Sequence, residues 1–200
     1  NYIRPYGETH PIWTSGGTLN LTGINSQDEV IGPDGRKHVS DQATIWRWRE
    51  AFQNDFAARM DWTVKDYAHA NHNPIAVVNG QSGTGVIEMP ADVGKPIVLD
   101  AGQSSDPDGQ RLHFHWFHYA EAGSSGARPS VVSIANAESA NATATVTAAC
   151  RPSPVVSRRP APCPGGVAHI ILAVTDEGQP KLTSYRRVIL NVKAESSAPQ

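Results

Sequence analysis

Between Ile45 and Met60 the apolar side chains Ile45, Trp48, Phe52, Phe56 and Met60 recur at steps of three to four residues, the period of a helix with one apolar face. Ser40 stands where an N-cap belongs, and the pattern predicts one or two helices from about Asp41 to about His69. Trp46, Trp48 and Trp62 fall within that stretch. So much aromatic surface needs a large packing partner, and the segment ahead of it is too polar to provide one. From Asn1 to Val39 the chain is rich in Gly, Pro, Thr and Asn, with turn signals at Gly16-Gly17 and Pro33-Asp34-Gly35 and no periodic apolar pattern. It is predicted to be an irregular surface segment. Residues 1–70 are therefore expected to belong to a domain whose larger part lies outside this chain, and not to fold alone.

The pattern changes after Ala70-Asn-His-Asn-Pro74, where residues 71–74 are predicted to be a linker: proline disfavours helix at the residue before it, and Asn tolerates turn geometry. Short β-type runs follow, separated by Gly, Pro and Asp: Ile75–Val78, Gly85–Met89, Pro96–Leu99, Leu112–His118, Ser130–Ile134, Ala142–Ala148, Ala168–Thr175 and Tyr185–Val192. Strands of this length and spacing predict an immunoglobulin-like β-sandwich over residues 75–194. The fold class expected for the chain is mainly β, a sandwich preceded by a helical segment. In the run Leu112–His118, strict alternation puts Leu112, Phe114 and Trp116 on one face and His113, His115 and Phe117 on the other. Trp116 is the expected core tryptophan.

Charge narrows the partners. Among 200 residues, 17 Lys and Arg face 19 Asp and Glu, so no basic surplus is present to neutralise phosphates and nucleic acid is not an expected partner. No apolar run approaches the length of a transmembrane helix, and no membrane partner is expected. Asn1 to Tyr6 resembles neither an initiator region nor a signal peptide, which suggests a start inside a longer precursor. Cys150 and Cys163 flank a proline-rich segment that a disulfide would close as a loop, the alternative being two buried thiols. Asn20-Leu-Thr22 and Asn141-Ala-Thr143 are N-glycosylation patterns. Together these cues point to a secreted, extracellular protein.

Candidate chemistry is sparse. Leu99-Asp100-Ala-Gly-Gln-Ser104-Ser105-Asp106-Pro-Asp108-Gly109 precedes the Trp116 strand. Its Asp and Ser side chains suit bonds to nearby main-chain amides, with Asp108-Gly109 as the turn. A second reading is a Ca²⁺ site, since Asp106 and Asp108 are oxygen donors two residues apart, with Asp100 or Asp176 able to fold close. His113 and His115 have the spacing of a strand-borne metal pair, although a solvent-facing pair explains them as well. Of five tryptophans, Trp13, Trp46, Trp48 and Trp62 precede the linker. Any sugar contact through stacked rings is thus expected near Trp13 and Trp46, with Phe117 and Tyr119 as the competing platform on the sandwich. No nucleophile elbow, phosphate loop, zinc-type spacing or His-Glu-x-x-His is present.

The Ser-Ser-Asp-Pro-Asp-Gly stretch followed by a tryptophan strand resembles the polycystic-kidney-disease (PKD) and related immunoglobulin-like modules. The run Ala43-Thr-Ile-Trp-Arg-Trp-Arg-Glu-Ala-Phe-Gln-Asn-Asp-Phe-Ala-Ala-Arg-Met-Asp-Trp62 is longer and more distinctive. Together with Tyr6-Gly-Glu-Thr-His-Pro-Ile-Trp13, Tyr119-Ala-Glu-Ala-Gly123, His169-Ile-Ile-Leu-Ala-Val-Thr-Asp176 and Tyr185-Arg-Arg-Val188, it resembles a family of secreted proteins described as cellulose-binding. That family joins a nucleoside-hydrolase-like N-terminal domain to a PKD-like C-terminal one. The likeness implies that residues 1–70 complete the hydrolase-like domain, with the N-terminal portion of the same precursor as partner. Asn54-Asp55-Phe56 is similar to a late metal-binding step of nucleoside hydrolases, with Asn for His, which makes Asp55 a candidate Ca²⁺ or active-site carboxylate. An exposed helix acid is the other reading of Asp55. Gln110 and the proline-rich loop depart from the family pattern. The resemblance implies first a hydrolase of glycosidic or N-glycosidic bonds with its main catalytic residues outside this chain and the sandwich as an accessory module; the alternative is a non-catalytic binder of cellulose and cell-wall polysaccharide.

Overall fold

The alternating runs become strands because their inward positions are aliphatic and their flanks carry turn residues. In a computed structural model, residues 28–31, 36–40, 47–119, 130–150 and 165–193 are described. They contain β1 (Asp28–Ile31), β2 (Lys37–Ser40), helix α1 (Arg49–Asp61), a 3₁₀ turn (Tyr67–His69), β3 (Ile87–Ala91), β4 (Pro96–Asp100), β5 (His113–His118), β6 (Val131–Ala135), β7 (Asn141–Ala148), β8 (Gly166–Thr175) and β9 (Thr183–Val192). The chain divides into two units, Asn1–Gln53 and Asn54–Gln200.

In the first unit, β1 and β2 form an antiparallel hairpin with Asp28 opposite Ser40 and Ile31 opposite Lys37. This corrects one expectation. The segment before Val39 is not wholly irregular, since two four-residue strands are too short to show a period against a Gly- and Pro-rich background. Ser40 is the last residue of β2, α1 covers Arg49–Asp61 of the expected helical stretch, and the expected helix start at Asp41 falls on residues 41–46, outside the described residues.

The second unit carries a four-stranded sheet in the order β3-β9-β8-β5 and a three-stranded sheet in the order β4-β7-β6. All neighbours are antiparallel except β3, which runs parallel to β9. Side chains from both inner faces fill one core. Ile87, Trp116, Ile170, Leu172, Val188 and Leu190 come from the larger sheet, and Leu99, Ala144 and Val146 from the smaller. The alternation of β7 shows the logic: Ala142, Ala144 and Val146 are buried while Thr143, Thr145 and Thr147 lie outward. Trp116 is 1% exposed, and its indole Nε1 donates to the Ser139 carbonyl at 3.0 Å, so the expected core tryptophan is in place. The sandwich predicted from the strand spacing is present. The one strand expected and not formed is Ile75–Val78, which makes only isolated bridges at Ile75 to Ser105 and Val78 to Gln81.

Along α1 only Ala58 is buried. Phe52, Phe56 and Met60 are 41%, 64% and 49% exposed. The helix surface is supported by ion pairs one turn apart, Asp55 with Arg59 at 2.7 Å and Asp61 with Lys65 at 2.8 Å.

Candidate functional site

The linker and the Ser-Ser-Asp-Pro-Asp-Gly turn fold into one polar junction. Asp106 Oδ1 accepts from the Asp108 and Gln110 amides at 2.9 and 3.1 Å. This closes an Asx-type turn in which Gly109 takes a φ of 74°, a region that suits glycine. Ser104 Oγ accepts from Val77 N at 3.0 Å, and the main chains of Ser105 and Ile75 bond each other in both directions. Asp108 leaves the turn altogether. Its Oδ2 accepts from His72 N at 2.7 Å, and its Oδ1 lies 3.0 Å from His72 Nδ1. The His72 ring stacks on Tyr67 with centroids 3.8 Å apart and lies 6.1 Å from that of Trp62, whose Nε1 donates to the Asn71 carbonyl at 2.7 Å.

Asn71 is buried at the centre of this junction. Its Nδ2 donates to Asp176 Oδ2 at 3.0 Å and to the Pro180 carbonyl at 2.9 Å, and its Oδ1 accepts from Gln110 Nε2 at 2.6 Å. Asp176 is fully buried, and its Oδ1 accepts from the amides of Gly178 and Leu182. Gly178 has no room for a side chain, because a Cβ there would overlap the Asn71 amide. The predicted linker is thus pinned to the sandwich at both Asn71 and His72. What the cluster does chemically is hold the chain between α1 and the sandwich in one conformation.

The candidate site residues fall in different places. Asp55 lies on the surface of α1, paired with Arg59. Asp106 and Asp108 are engaged in the junction. Asp106 Oδ2 and Gln110 Oε1 are buried with no hydrogen-bond partner. They are oxygen donors of the kind Ca²⁺ takes, but two atoms are few against the six to eight that ion needs. Among the described residues no group of three or more His, Cys, Asp or Glu side chains gathers where it could hold a metal. His113 and His115 each face their own carboxylate, Glu177 at 2.8 Å and Glu138 at 2.5 Å. Tyr119 is half-buried, and its amide donates to the His169 carbonyl at 2.7 Å. Asn141 is exposed at the start of β7, and Cys150 lies just past the end of that strand. Trp13, Asn20, Trp46 and Cys163 lie outside the described residues.

A second group lies on the outer face of the four-stranded sheet; the sequence pattern put His115 and Phe117 on this face and offered Phe117 as a platform, but gave no role to Tyr185 or Arg187. Cross-strand register sets His115, Ala173 and Tyr185 in one row and Phe117, Ile171 and Arg187 in the next. The His115 and Phe117 rings stack with centroids 5.4 Å apart, and Tyr185 is 38% exposed. Arg187 is held from beside this row: its Nε and Nη2 both lie against His169 Nδ1, at 2.9 and 2.6 Å. The alternation of β5 already set His115 and Phe117 on this face, but alternation alone does not say what a neighbouring strand contributes, and Tyr185 and Arg187 join them only through register.

Burial, and next the Arg187 charge, hold the His169 imidazole below its ordinary pKa. Unfolded His169 takes up a proton below about pH 6.5, while the folded residue stays neutral to lower pH, so the unfolded state binds more protons in that window and stability falls as pH falls through it. The melting temperature is expected to drop on acidification from pH 7 to 5, with a shallower drop in His169→Gln. Equal slopes in the two proteins would refute this assignment.

Two facing sheets, with one edge strand parallel to its neighbour and a buried tryptophan on β5, define the larger unit as an immunoglobulin-like β-sandwich module. Within it, residues 96–192 match the family model of the cellulose-binding protein Sde0182, C-terminal domain. Among solved structures, the chain is similar to a nucleoside hydrolase-related hypothetical protein from Saccharophagus degradans that is associated with carbohydrate metabolism. The identity is 38% and the TM-score 0.64, over 80% of this chain and 36% of that one. This chain therefore spans little more than a third of that protein's length. It also aligns with the PKD domain from KIAA 1837 protein at 24% identity and a TM-score of 0.35, over 60% of this chain and 99% of that one. Comparison with the curated proteins gives no match.

Proposed function

We propose that this chain is part of a secreted carbohydrate-active protein and that its sandwich contributes binding to cell-wall polysaccharide of the cellulose type. The observation that carries the reading is the match of residues 96–192, nearly the whole sandwich, to the C-terminal domain of a cellulose-binding protein. An outer sheet face bearing aromatic rings beside donors and acceptors agrees with it. A second reading, hydrolysis of glycosidic or N-glycosidic bonds, draws on the nucleoside hydrolase-related neighbour, and assigns the reaction to protein beyond these 200 residues. Asp55 would then join a Ca²⁺-binding set completed elsewhere, whereas the two free oxygens of Asp106 and Gln110 in the sandwich are too few to hold that ion by themselves.

Retention of the 200-residue chain on microcrystalline cellulose, with and without chelator, tests the binding reading. Retention well above that of an unrelated protein of equal charge is expected, and retention no greater than that control overturns it. Release of sugar or nucleobase by a longer form of the protein, absent from this chain, would favour the hydrolase reading.

The extracellular setting belongs to the same proposal and carries its own test. A Cys150–Cys163 disulfide closes a loop of 14 residues and contributes on the order of 3 kcal/mol in the chain-entropy model. Thiol titration of the denatured, unreduced protein is expected to find no reactive group; two groups would sink the pairing. Asn20 and Asn141 are the positions where glycan would be sought on natural material.

A further inference from the structure

We propose that the outer face of the four-stranded sheet holds a binding site for a neutral glycan, a trough with Ala173 as its floor between the His115–Phe117 stack on β5 and Tyr185 on β9, with Arg187 hydrogen-bonding the sugar hydroxyls. This inference rests on the polysaccharide-binding reading and places it on particular residues.

The trough follows from register. β5 and β9 flank β8, so side chains of the two outer strands are separated by two strand spacings, about 10 Å. Between them the row through His115 and Tyr185 has only the methyl group of Ala173, so the middle of the row is low while its ends carry rings. Pyranose rings present apolar C–H faces and equatorial hydroxyl edges. A wall of stacked His115 and Phe117 on one side and Tyr185 on the other matches the faces.

Arg187 supplies the polar contact and is already oriented. A guanidinium has five N–H donors in a planar fork, and the Nε–Nη2 edge of Arg187 is taken up by the buried His169. Because that acceptor is an imidazole nitrogen, the interaction fixes the plane of the guanidinium without neutralising it. The far edge, Nη1 with Nη2, has the spacing to bond two adjacent hydroxyls. No carboxylate among the described residues forms an ion pair with Arg187, so the charge is not spent within the sheet.

Charge decides between neutral and acidic chains. Glu138 and Glu177 accompany the β5 histidines, and Glu88 lies on β3 opposite Ile189, in the row that includes His169. Three carboxylates against one guanidinium repel a uronic-acid polymer, whereas a neutral chain meets acceptors and donors together.

The test is binding of the 200-residue chain to a soluble β-glucan, cellohexaose and polygalacturonate by calorimetry. It is repeated for Tyr185→Ala, Tyr185→Phe, Arg187→Met and, on the opposite sheet, Thr147→Ala, each checked for an unchanged fold by its melting curve. The expected result is binding of a neutral glycan that weakens roughly tenfold or more in Tyr185→Ala and Arg187→Met and persists in Tyr185→Phe and Thr147→Ala. Binding unchanged in both Tyr185→Ala and Arg187→Met overturns the site and leaves the polysaccharide-binding reading standing. Preference for polygalacturonate overturns the neutral class. No binding of any glycan here, together with no retention on cellulose, overturns the reading itself and the site with it. If Arg187→Met does not fold, chemical-shift changes of the His115 and His169 imidazoles on adding cellohexaose decide, their absence counting against the site.

Discussion

Trp116→Ala is expected to lower the unfolding free energy by about 3–5 kcal/mol, the range for truncating a large buried aromatic. Trp116 lies at the middle of β5 with both sheets packed around it and 1% of its surface exposed. The smaller sheet gives the same core mostly short side chains such as Ala142, Ala144 and Val146, which have little reach into the space left behind, so a cavity contribution adds to the lost burial. The indole also satisfies the Ser139 carbonyl in the connection between β6 and β7, and alanine removes that donor. Chemical denaturation monitored by circular dichroism measures the loss. A change below about 1 kcal/mol would mean that Trp116 is not the keystone of the two-sheet core.

Asp176→Ala is expected to cost a similar amount, about 3–5 kcal/mol, for a different reason. The carboxylate is fully buried and accepts from Gly178 N, Leu182 N and Asn71 Nδ2. Each donor left without an acceptor bears its own desolvation penalty of about 1–3 kcal/mol, partly relieved if water enters. The loss extends beyond the β8–β9 connection, because Asn71 is the link between sandwich and linker. A double-mutant cycle with Asn71→Ala separates the two effects: the substitutions are expected to couple by about 1 kcal/mol or more, as residues of one hydrogen-bond network do. Additive losses would show that the linker is not held through Asp176.

That link changes how the segment before the sandwich is understood. A stretch of Asn, His and Pro carries the composition of a flexible connector, yet Asn71 and His72 are anchored from two separate parts of the chain: the turn that bears Asp108 and Gln110, and the loop around Asp176. Trp62 and Tyr67 pack on the same residues from the helical side. The Ser-Ser-Asp-Pro-Asp-Gly turn then has a structural purpose for nearly every polar side chain. Asp106 closes the turn, Ser104 receives the incoming chain at Val77, and Asp108 takes His72. Asp106 Oδ2 and Gln110 Oε1 are buried there without a hydrogen-bond partner.

The strands of the sandwich and Trp116 as its core were legible in the sequence because both follow from local alternation: inward residues are mostly apolar, Arg186 on β9 being an exception, and several runs stop at a turn residue, as at Pro90, Asp100 and Asp176. The turn at Asp108-Gly109 was legible for the same local reason, since Gly109 adopts the positive φ that Gly accepts freely. The β1–β2 hairpin was not, because four-residue strands carry too few positions to establish a period. Ile75–Val78 has the composition of a strand but forms only bridges, because Ser104 and Ser105 engage its main chain. Tertiary structure alone decided the rest. Asn71 becomes a buried hub through partners 39 and 105 residues away. Likewise, the trough over Ala173 exists only because register aligns β5, β8 and β9, which a single strand's pattern cannot encode: period-two alternation says which face a side chain takes, and pairing between distant strands decides what stands beside it.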